Sequence, residues 1–175
     1  MNTSLSDRLR ASILEVPDFP KAGILFKDIS PVFEKPSLCK AITEHIAQKF
    51  SSVDAVVGIE SRGFFWGMSV AQFLDIPFVP IRKAGKLPRA TLSQSYELEY
   101  GTATLEIHQD AIQPDWKVLI HDDLLATGGT AVAAAQLVQQ LGTVAGFSFL
   151  VELQFLNGMA SLRPYSEMVD AVVVY

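Results

Sequence analysis

The run Val118-Leu119-Ile120-His121-Asp122-Asp123-Leu124-Leu125-Ala126-Thr127-Gly128-Gly129-Thr130 constrains the fold more than any other part of this 175-residue chain. Three apolar residues and a histidine read as a buried strand. Two carboxylates stand at its C-terminal end, and Thr-Gly-Gly-Thr follows just before an alanine-rich helical stretch. In an open α/β sheet, ligands bind in the crevice beyond the carboxyl ends of the strands. Glycines let backbone N–H groups close round an anion, and the N-terminus of the next helix adds partial positive charge. The hydroxyls of Thr127 and Thr130 can donate to phosphate oxygens. The loop therefore offers donors for a phosphate and acceptors, Asp122 and Asp123, for hydroxyls or a metal. A sugar phosphate needs both. A turn that merely caps a helix, with Thr127 as N-cap, needs one side-chain oxygen and does not require the acid pair. Neither Gly-x-x-x-x-Gly-Lys-Ser/Thr nor a strand followed by Gly-x-Gly-x-x-Gly occurs in the chain.

Periodicity places the rest of the elements around this run. Leu5, Leu9, Ile13 and Leu14 share one helical face and predict a helix over residues 4–15. Pro17, Pro20 and Gly23 then predict an irregular segment as far as Pro31. Leu38, Ile42, Ile46 and Phe50 mark a helix that begins near Pro36. Residues 53–59 and 78–81 read as apolar strands, with a helix over 63–74 between them. Residues 83–95 show little periodicity and carry Lys83, Lys86 and Arg89, which predicts a long basic loop. Residues 96–100 and 102–107 flank Gly101 like a short hairpin. A strand over 117–121, a helix over 130–141 capped by Gly142, and strands over 144–153 and 169–174 complete the pattern. Strands that alternate with helices predict an α/β domain, a mostly parallel twisted sheet with helices on both faces. Residues 1–175 read as a single domain.

Composition supports that class. Hydrophobic residues make up 49% of the chain, and the mean hydropathy is +0.27. No apolar run approaches the ~20 residues needed to span a bilayer. Residues 1–10 are polar and lack the apolar core of a signal peptide, so a cytoplasmic protein is expected. Cys39 is the single cysteine; it lies in a helical pattern and reads as a packed thiol. A net charge of −5 argues against a nucleic-acid partner, so an anionic substrate would rely on local cations.

Four segments in order resemble the type I phosphoribosyltransferases, and most closely their adenine-using members. The acid-pair run resembles the family's motif for phosphoribosyl pyrophosphate (PRPP). Glu60-Ser61-Arg62-Gly63, with Phe64 after it, is similar to the family's pyrophosphate loop. Ser95-Tyr96-Glu97-Leu98-Glu99-Tyr100-Gly101 matches Ser-Tyr-x-Leu-Glu-Tyr-Gly. Pro17-Asp18-Phe19-Pro20-Lys21-Ala22-Gly23-Ile24-Leu25-Phe26-Lys27-Asp28-Ile29-Ser30-Pro31 is similar to the adenine-binding hood. The likeness extends over residues 8–155 or so.

The resemblance implies the type I fold, with a hood in residues 1–35 and a flexible lid in 82–101. It also implies a reaction: adenine and PRPP give AMP and pyrophosphate, with Mg²⁺ as cofactor, in a homodimer. Asp122 and Asp123 would bind the ribose hydroxyls and, through water, the metal, which PRPP itself mainly holds. Ala126, Thr127, Gly128, Gly129 and Thr130 would hold the 5′-phosphate. Ser61, Arg62, Arg82, Lys83 and Lys86 would hold pyrophosphate, with Arg82 a candidate to serve the neighbouring subunit. Leu25 and Lys27 would read the adenine edge through their backbone, between Phe26 on one face and Leu124 on the other. Glu99 would be an acid/base group near the purine. A non-proline cis peptide is implied between Glu60 and Ser61.

Some of these residues have plainer readings on their own. Arg62 is compatible with a surface ion pair, Phe26 with core packing, Glu99 with an exposed strand carboxylate, and residues 82–88 with a solvated charge cluster. The chain departs from the family pattern at Lys27, where Arg is common, at Ala84, at His121, and in a short stretch after its last strand. Transfer to hypoxanthine, guanine or xanthine is the nearest alternative, although the hood favours adenine. A non-catalytic PRPP or nucleotide-binding regulator is another, but it would be expected to carry a basic nucleic-acid surface.

Overall fold

A computed structural model describes residues 3–97 and 101–175. Its centre is β7 (Lys117–Leu125), with β3 (Ala55–Ile59) and β8 (Thr143–Glu152) parallel to it on either side. β4 (Phe78–Lys83) lies parallel outside β3, and β9 (Val169–Val174) parallel outside β8. Beyond β4, β6 (Thr102–His108) and β5 (Thr91–Glu97) form an antiparallel edge, so the order is β5-β6-β4-β3-β7-β8-β9. The sheet is thus mostly parallel, as expected. Ala55, Val56, Val57 and Ile59 of β3 are all buried, the continuous apolar run that a strand covered on both faces requires.

Helices cover both faces. On one, Leu9 of α1 (Leu5–Arg10), Ile42 and Ile46 of α3 (Pro36–Lys49), and Trp66 and Val70 of α4 (Gly63–Leu74) pack on Val56, Leu119 and Leu150. On the other, Ala134, Leu137 and Val138 of α5 (Gly129–Gln139) pack on Ile81, Ile120, Phe147 and Phe149. A short α6 (Gly158–Leu162) adds Leu162 to that second layer.

Four expectations need correction. The helix over 4–15 ends at Arg10, and Leu14–Pro17 forms β1, antiparallel to β2 (Leu25–Asp28). Pro17 disfavours helix at Val16, and β2 offers a ladder instead, so the apolar spacing misleads past Ala11. The segment expected to be irregular up to Pro31 therefore holds this hairpin and a one-turn α2 (Ser30–Phe33), with Pro31 in its first turn. The basic loop shrinks to residues 84–90, because 91–97 pair along β6 from Thr91↔His108 to Glu97↔Thr102. Only Leu92 and Tyr96 of that strand pack on the core, too weak an alternation to read in sequence. Finally, α5 ends at Gln139 with Gln140 as its C-cap, and Gly142 instead admits Ile112 and Trp116 where a Cβ would clash.

Candidate active site

The acid pair lies within the last residues of β7, not beyond it, because the strand runs on to Leu125. The following loop is shaped by glycine. Gly128 has φ +89°, and a Cβ on it would stand 2.9 Å from the Gly158 carbonyl of α6. Gly128 is also the N-cap of α5 and supplies no side-chain oxygen, nor is there an acidic residue in the first turn. Thr127 therefore does not cap the helix. The first N–H groups of α5 and the positive end of its dipole face a cavity of about 220 Å³, and no side chain caps them. That cavity is lined by Asp122, Asp123, Arg62, Leu124 and residues 125–131, so all the predicted 5′-phosphate residues meet there.

Asp123 is 4% exposed, whereas Asp122 is half-buried. Burial raises the pKa of Asp122 well above the ordinary carboxylate range, and the neighbouring Asp123 charge raises it further. Burial raises Asp123 too, opposed by the Arg62 guanidinium. Arg62 Nε lies 3.0 Å from Asp123 Oδ2, close enough for charge attraction but not aligned as a hydrogen bond. The Asp123 N–H donates to Asp122 Oδ1 at 2.9 Å. Directly before the pair, His121 is fully buried, and its Nδ1 is 2.8 Å from Ser148 Oγ. Burial pushes its pKa down to about 4 against the Ser148 contact, so the ring is neutral.

The second strand end, after β3, repeats the geometry. The peptide between Glu60 and Ser61 is cis, where it was expected. A Cβ on Gly63 would stand 2.7 Å from the His121 carbonyl, so only glycine lets α4 start this close to β7. Sequence reasoning missed Glu60 as a site residue. Its carboxylate accepts from Lys86 Nζ at 2.6 Å, Arg82 at 3.1 Å and the Lys83 N–H at 3.1 Å. Burial pushes its pKa up, but these three donors outweigh it and bring the value to about 2. Arg82 also donates to the Lys86 carbonyl, and its Nε is buried without a partner among the described residues. Glu60 thus gathers two of the predicted pyrophosphate cations, Arg82 and Lys86, beside Ser61 and Arg62, and takes from Lys83 only its backbone N–H. The signal was in view, since Glu60 opens the quoted loop, but its partners stand 22 to 26 residues away.

The hood faces both strand ends. Phe26 lines a cavity of about 570 Å³ with Phe19, Phe33, Ser61, Arg62 and Phe65. Its ring meets Phe19 edge-on at 5.1 Å, and the Arg62 guanidinium is 5.3 Å from its centroid. Leu25 and Lys27 line a different cavity, of about 730 Å³, shared with Tyr96, Thr127, Thr130 and Tyr175. The three expected adenine contacts of β2 thus divide between two hollows, as alternation along a strand requires. The Lys27 side chain is buried against Glu15 and the Tyr175 ring. The expected acid/base residue Glu99 lies outside the described residues.

The model of the phosphoribosyl transferase domain family matches residues 29–148. An adenine phosphoribosyltransferase from Cytophaga hutchinsonii is 46% identical over 174 residues, covering 98% of this chain and 96% of that one. The crystal structure of the Rhodothermus marinus adenine phosphoribosyltransferase superposes with a TM-score of 0.91 at 48% identity, covering 98% of both chains. That of the Saccharomyces cerevisiae enzyme, complexed with an imino-altritol bisphosphate and adenine, superposes at 0.89 with 39% identity, covering 96% of this chain and 98% of that one. Cradle, acid pair, cation cluster and hood stand on a scaffold shared over nearly the whole length, and the chain belongs to the adenine phosphoribosyltransferases of the phosphoribosyltransferase family.

Proposed function

We propose that this chain transfers the 5-phosphoribosyl group of PRPP to adenine, giving AMP and pyrophosphate, with the residues above in distinct electrostatic roles. The observation that carries this reading is the N-terminus of α5, without a side-chain cap, opening onto the acid pair. Departure of pyrophosphate leaves positive charge at ribose C1, an oxocarbenium-like state of the kind glycoside chemistry passes through. Asp122 and Asp123 bind the ribose hydroxyls and present negative charge near that carbon. Their mutual repulsion is relieved as the cation develops, so their contribution is greatest in the transition state. Residues 126–130 hold the 5′-phosphate. Ser61, Arg62, Arg82, Lys83 and Lys86 take the leaving pyrophosphate, with Glu60 keeping Arg82 and Lys86 in place. Phe26 and Leu124 flank adenine, and the backbone of Leu25 and Lys27 reads its edge. Glu99 acts as the acid/base group near the purine.

Among the described residues, no three His, Cys, Asp or Glu side chains gather to hold a metal. Asp123 Oδ2 is buried without a hydrogen bond. That donor set suits Mg²⁺ carried on the phosphates of PRPP and touching one or two carboxylates through water. When bound, the ion neutralises charge on the departing pyrophosphate.

The active form is a homodimer in the cytoplasm. Phe65, Met68 and Phe73 of α4 are exposed apolar side chains that a second copy would cover. No helix among the described residues is long and apolar enough to cross a membrane.

The test is a competition assay with equal adenine, hypoxanthine, guanine and xanthine, PRPP and Mg²⁺. AMP should dominate the products. Faster formation of IMP, GMP or XMP would reject adenine as the substrate, and no nucleotide at all would favour a binding protein.

A further inference from the structure

The hairpin β1–β2 forms its own two-stranded sheet and shares no ladder with the seven-stranded one. Side chains therefore have to set its position over the cleft. On one side of β2, the Phe26 ring faces the Arg62 guanidinium. On the other, Lys27 Nζ lies 3.8 Å from the centroid of the Tyr175 ring, with only 6% of its side chain exposed. The Arg10 guanidinium of α1 lies 4.3 Å from the same centroid and donates to the Val174 carbonyl. Tyr175 itself is held firmly. Its N–H donates to the Glu152 carbonyl at 2.9 Å, and its own carbonyl accepts from the Gln154 N–H at 2.9 Å. One ring, fixed where β8 and β9 end, thus faces a cation from α1 and a buried cation from the hood. Glu15 on β1 supplies the balancing charge to Lys27. A desolvated ammonium over an aromatic face is the strongest setting for such a contact.

We propose that Tyr175 is a positioning residue for the base: its ring grips Lys27 and so sets the height of the β2 backbone above the acid pair and the phosphate loop. This rests on the reading that β2 holds adenine. The Lys27 ammonium is spent on the clamp, which leaves the backbone of Leu25 and Lys27 as the part of β2 that can meet the base edge. The ring also lines the cavity shared by Leu25, Thr127 and Thr130, so it stands between hood and cradle. Loosening it should weaken capture of adenine and leave capture of PRPP, held mainly in the acid-pair cavity at the start of α5 that Tyr175 does not line, nearly unchanged.

The experiment is steady-state kinetics of the full chain carrying Tyr175→Leu, Tyr175→Phe, Lys27→Met, or Tyr175→Leu with Lys27→Met, and Phe26→Ala as control. Tyr175→Leu should raise KM for adenine about tenfold, the order expected for one desolvated cation–π contact. KM for PRPP should stay within about twofold. Tyr175→Phe keeps the ring and should restore the parent value. In KM for adenine, Lys27→Met should match Tyr175→Leu, and the double variant should be no worse than either, since the Lys27–Tyr175 contact that sets β2 is the one both remove. The proposal is overturned if Tyr175→Phe is as impaired as Tyr175→Leu, or if the KM for PRPP rises equally. It also fails, alone, if Phe26→Ala raises the KM for adenine while Tyr175→Leu and Lys27→Met do not. If Phe26→Ala also leaves that KM unchanged, the assignment of adenine to β2 falls first and the clamp with it. Should Tyr175→Leu fail to fold, Tyr175→Phe and Lys27→Met still decide the matter.

Discussion

Asp123 and Phe26 face the same cleft from banks of different construction. Asp123 lies near the end of a central strand, with buried Ile120, Phe149 and Ala131 nearby and α4 pressed against its neighbour Asp122 through Gly63. Phe26 sits in a two-stranded hairpin whose other strand is exposed along its whole length, and Leu25 beside it is 48% exposed. The first bank holds charges in a fixed geometry, as stabilisation of a short-lived cation demands. The second holds a flat neutral base, which needs surfaces and a few backbone groups and tolerates movement during entry and exit. If this division is right, substitutions on the first bank cost rate, and those on the second cost affinity for the base.

The sharpest break would come from the acid pair. Asp122→Asn and Asp123→Asn keep shape and remove charge, and one or both should lose ~100-fold or more in kcat/KM, about 2.7 kcal/mol. Thermal melts near neutral pH should show the opposite for stability. A carboxylate whose pKa is raised by burial destabilises the folded state when ionised, so Asp122→Asn should raise Tm. Asp123→Asn should gain less, because it also leaves Arg62 without its counter-charge. Near-full activity in both variants would remove the PRPP site from this strand end.

A smaller loss is expected from the loop that closes over pyrophosphate. Replacing residues 84–90 with a Gly/Ser linker removes Lys86 and spares β5. AMP synthesis should fall about tenfold or more as departing charge loses its counter-ion, whereas AMP binding, measured by calorimetry, should hold. Stability should fall modestly, because the nearly buried Glu60 loses one of its three donors while Arg82 and the Lys83 N–H remain. Equal retention of binding and turnover would count against this role.

The two banks also differed in how far they could be read from sequence. The acid pair, its loop and α5 were legible because strand, glycines and helix lie within one continuous run, and each element follows from its neighbours. β1, β2 and β5 were not. A hairpin that buries little has no strong alternation, and the spacing of Leu5, Leu9 and Ile13 imitated a longer helix up to the proline. β5 gains its conformation from β6, a partner no local pattern reveals. The role of Glu60 was hidden for the same reason, since its value as an anchor depends on cations brought in by β4 and the loop after it. The cis peptide beside Glu60 and the uses of Leu25, Phe26 and Lys27 came from family likeness, not from the residues' own pattern.

On the hood bank, Phe19→Ala probes affinity without touching charge. Phe19 is itself about half exposed, and its ring meets Phe26 edge-on. An aromatic pair of this kind contributes roughly 0.5–1.5 kcal/mol. The expected result is a rise of about threefold in KM for adenine, with kcat and Tm close to the parent. A fall in kcat with KM unchanged would mean that the hood takes part in the chemical step, and the contrast between the banks would fail.

The least effect on turnover is expected beneath the acid pair, where stability at acid pH is what is at stake. His121 stays neutral in the folded chain down to about pH 4, whereas its ordinary value is 6.5. Between those values the unfolded chain binds the extra proton, so folding free energy is lost as pH falls through that window. At pH 5 the loss is about 2 kcal/mol. Replacing both partners, His121→Val with Ser148→Ala, removes a buried hydrogen bond together with both groups it satisfied, which is close to neutral. Urea unfolding of the parent and the double variant at pH 7.5 and pH 5 isolates the effect, because Asp122 and Asp123 titrate in both proteins and largely cancel. Glu60, with its pKa near 2, adds its own acid sensitivity only below about pH 4.5, outside the range compared. The parent should lose more stability than the variant between the two pH values. An equal loss would show that His121 is protonated in the folded chain at pH 5, and that this bank is less dry than its packing implies.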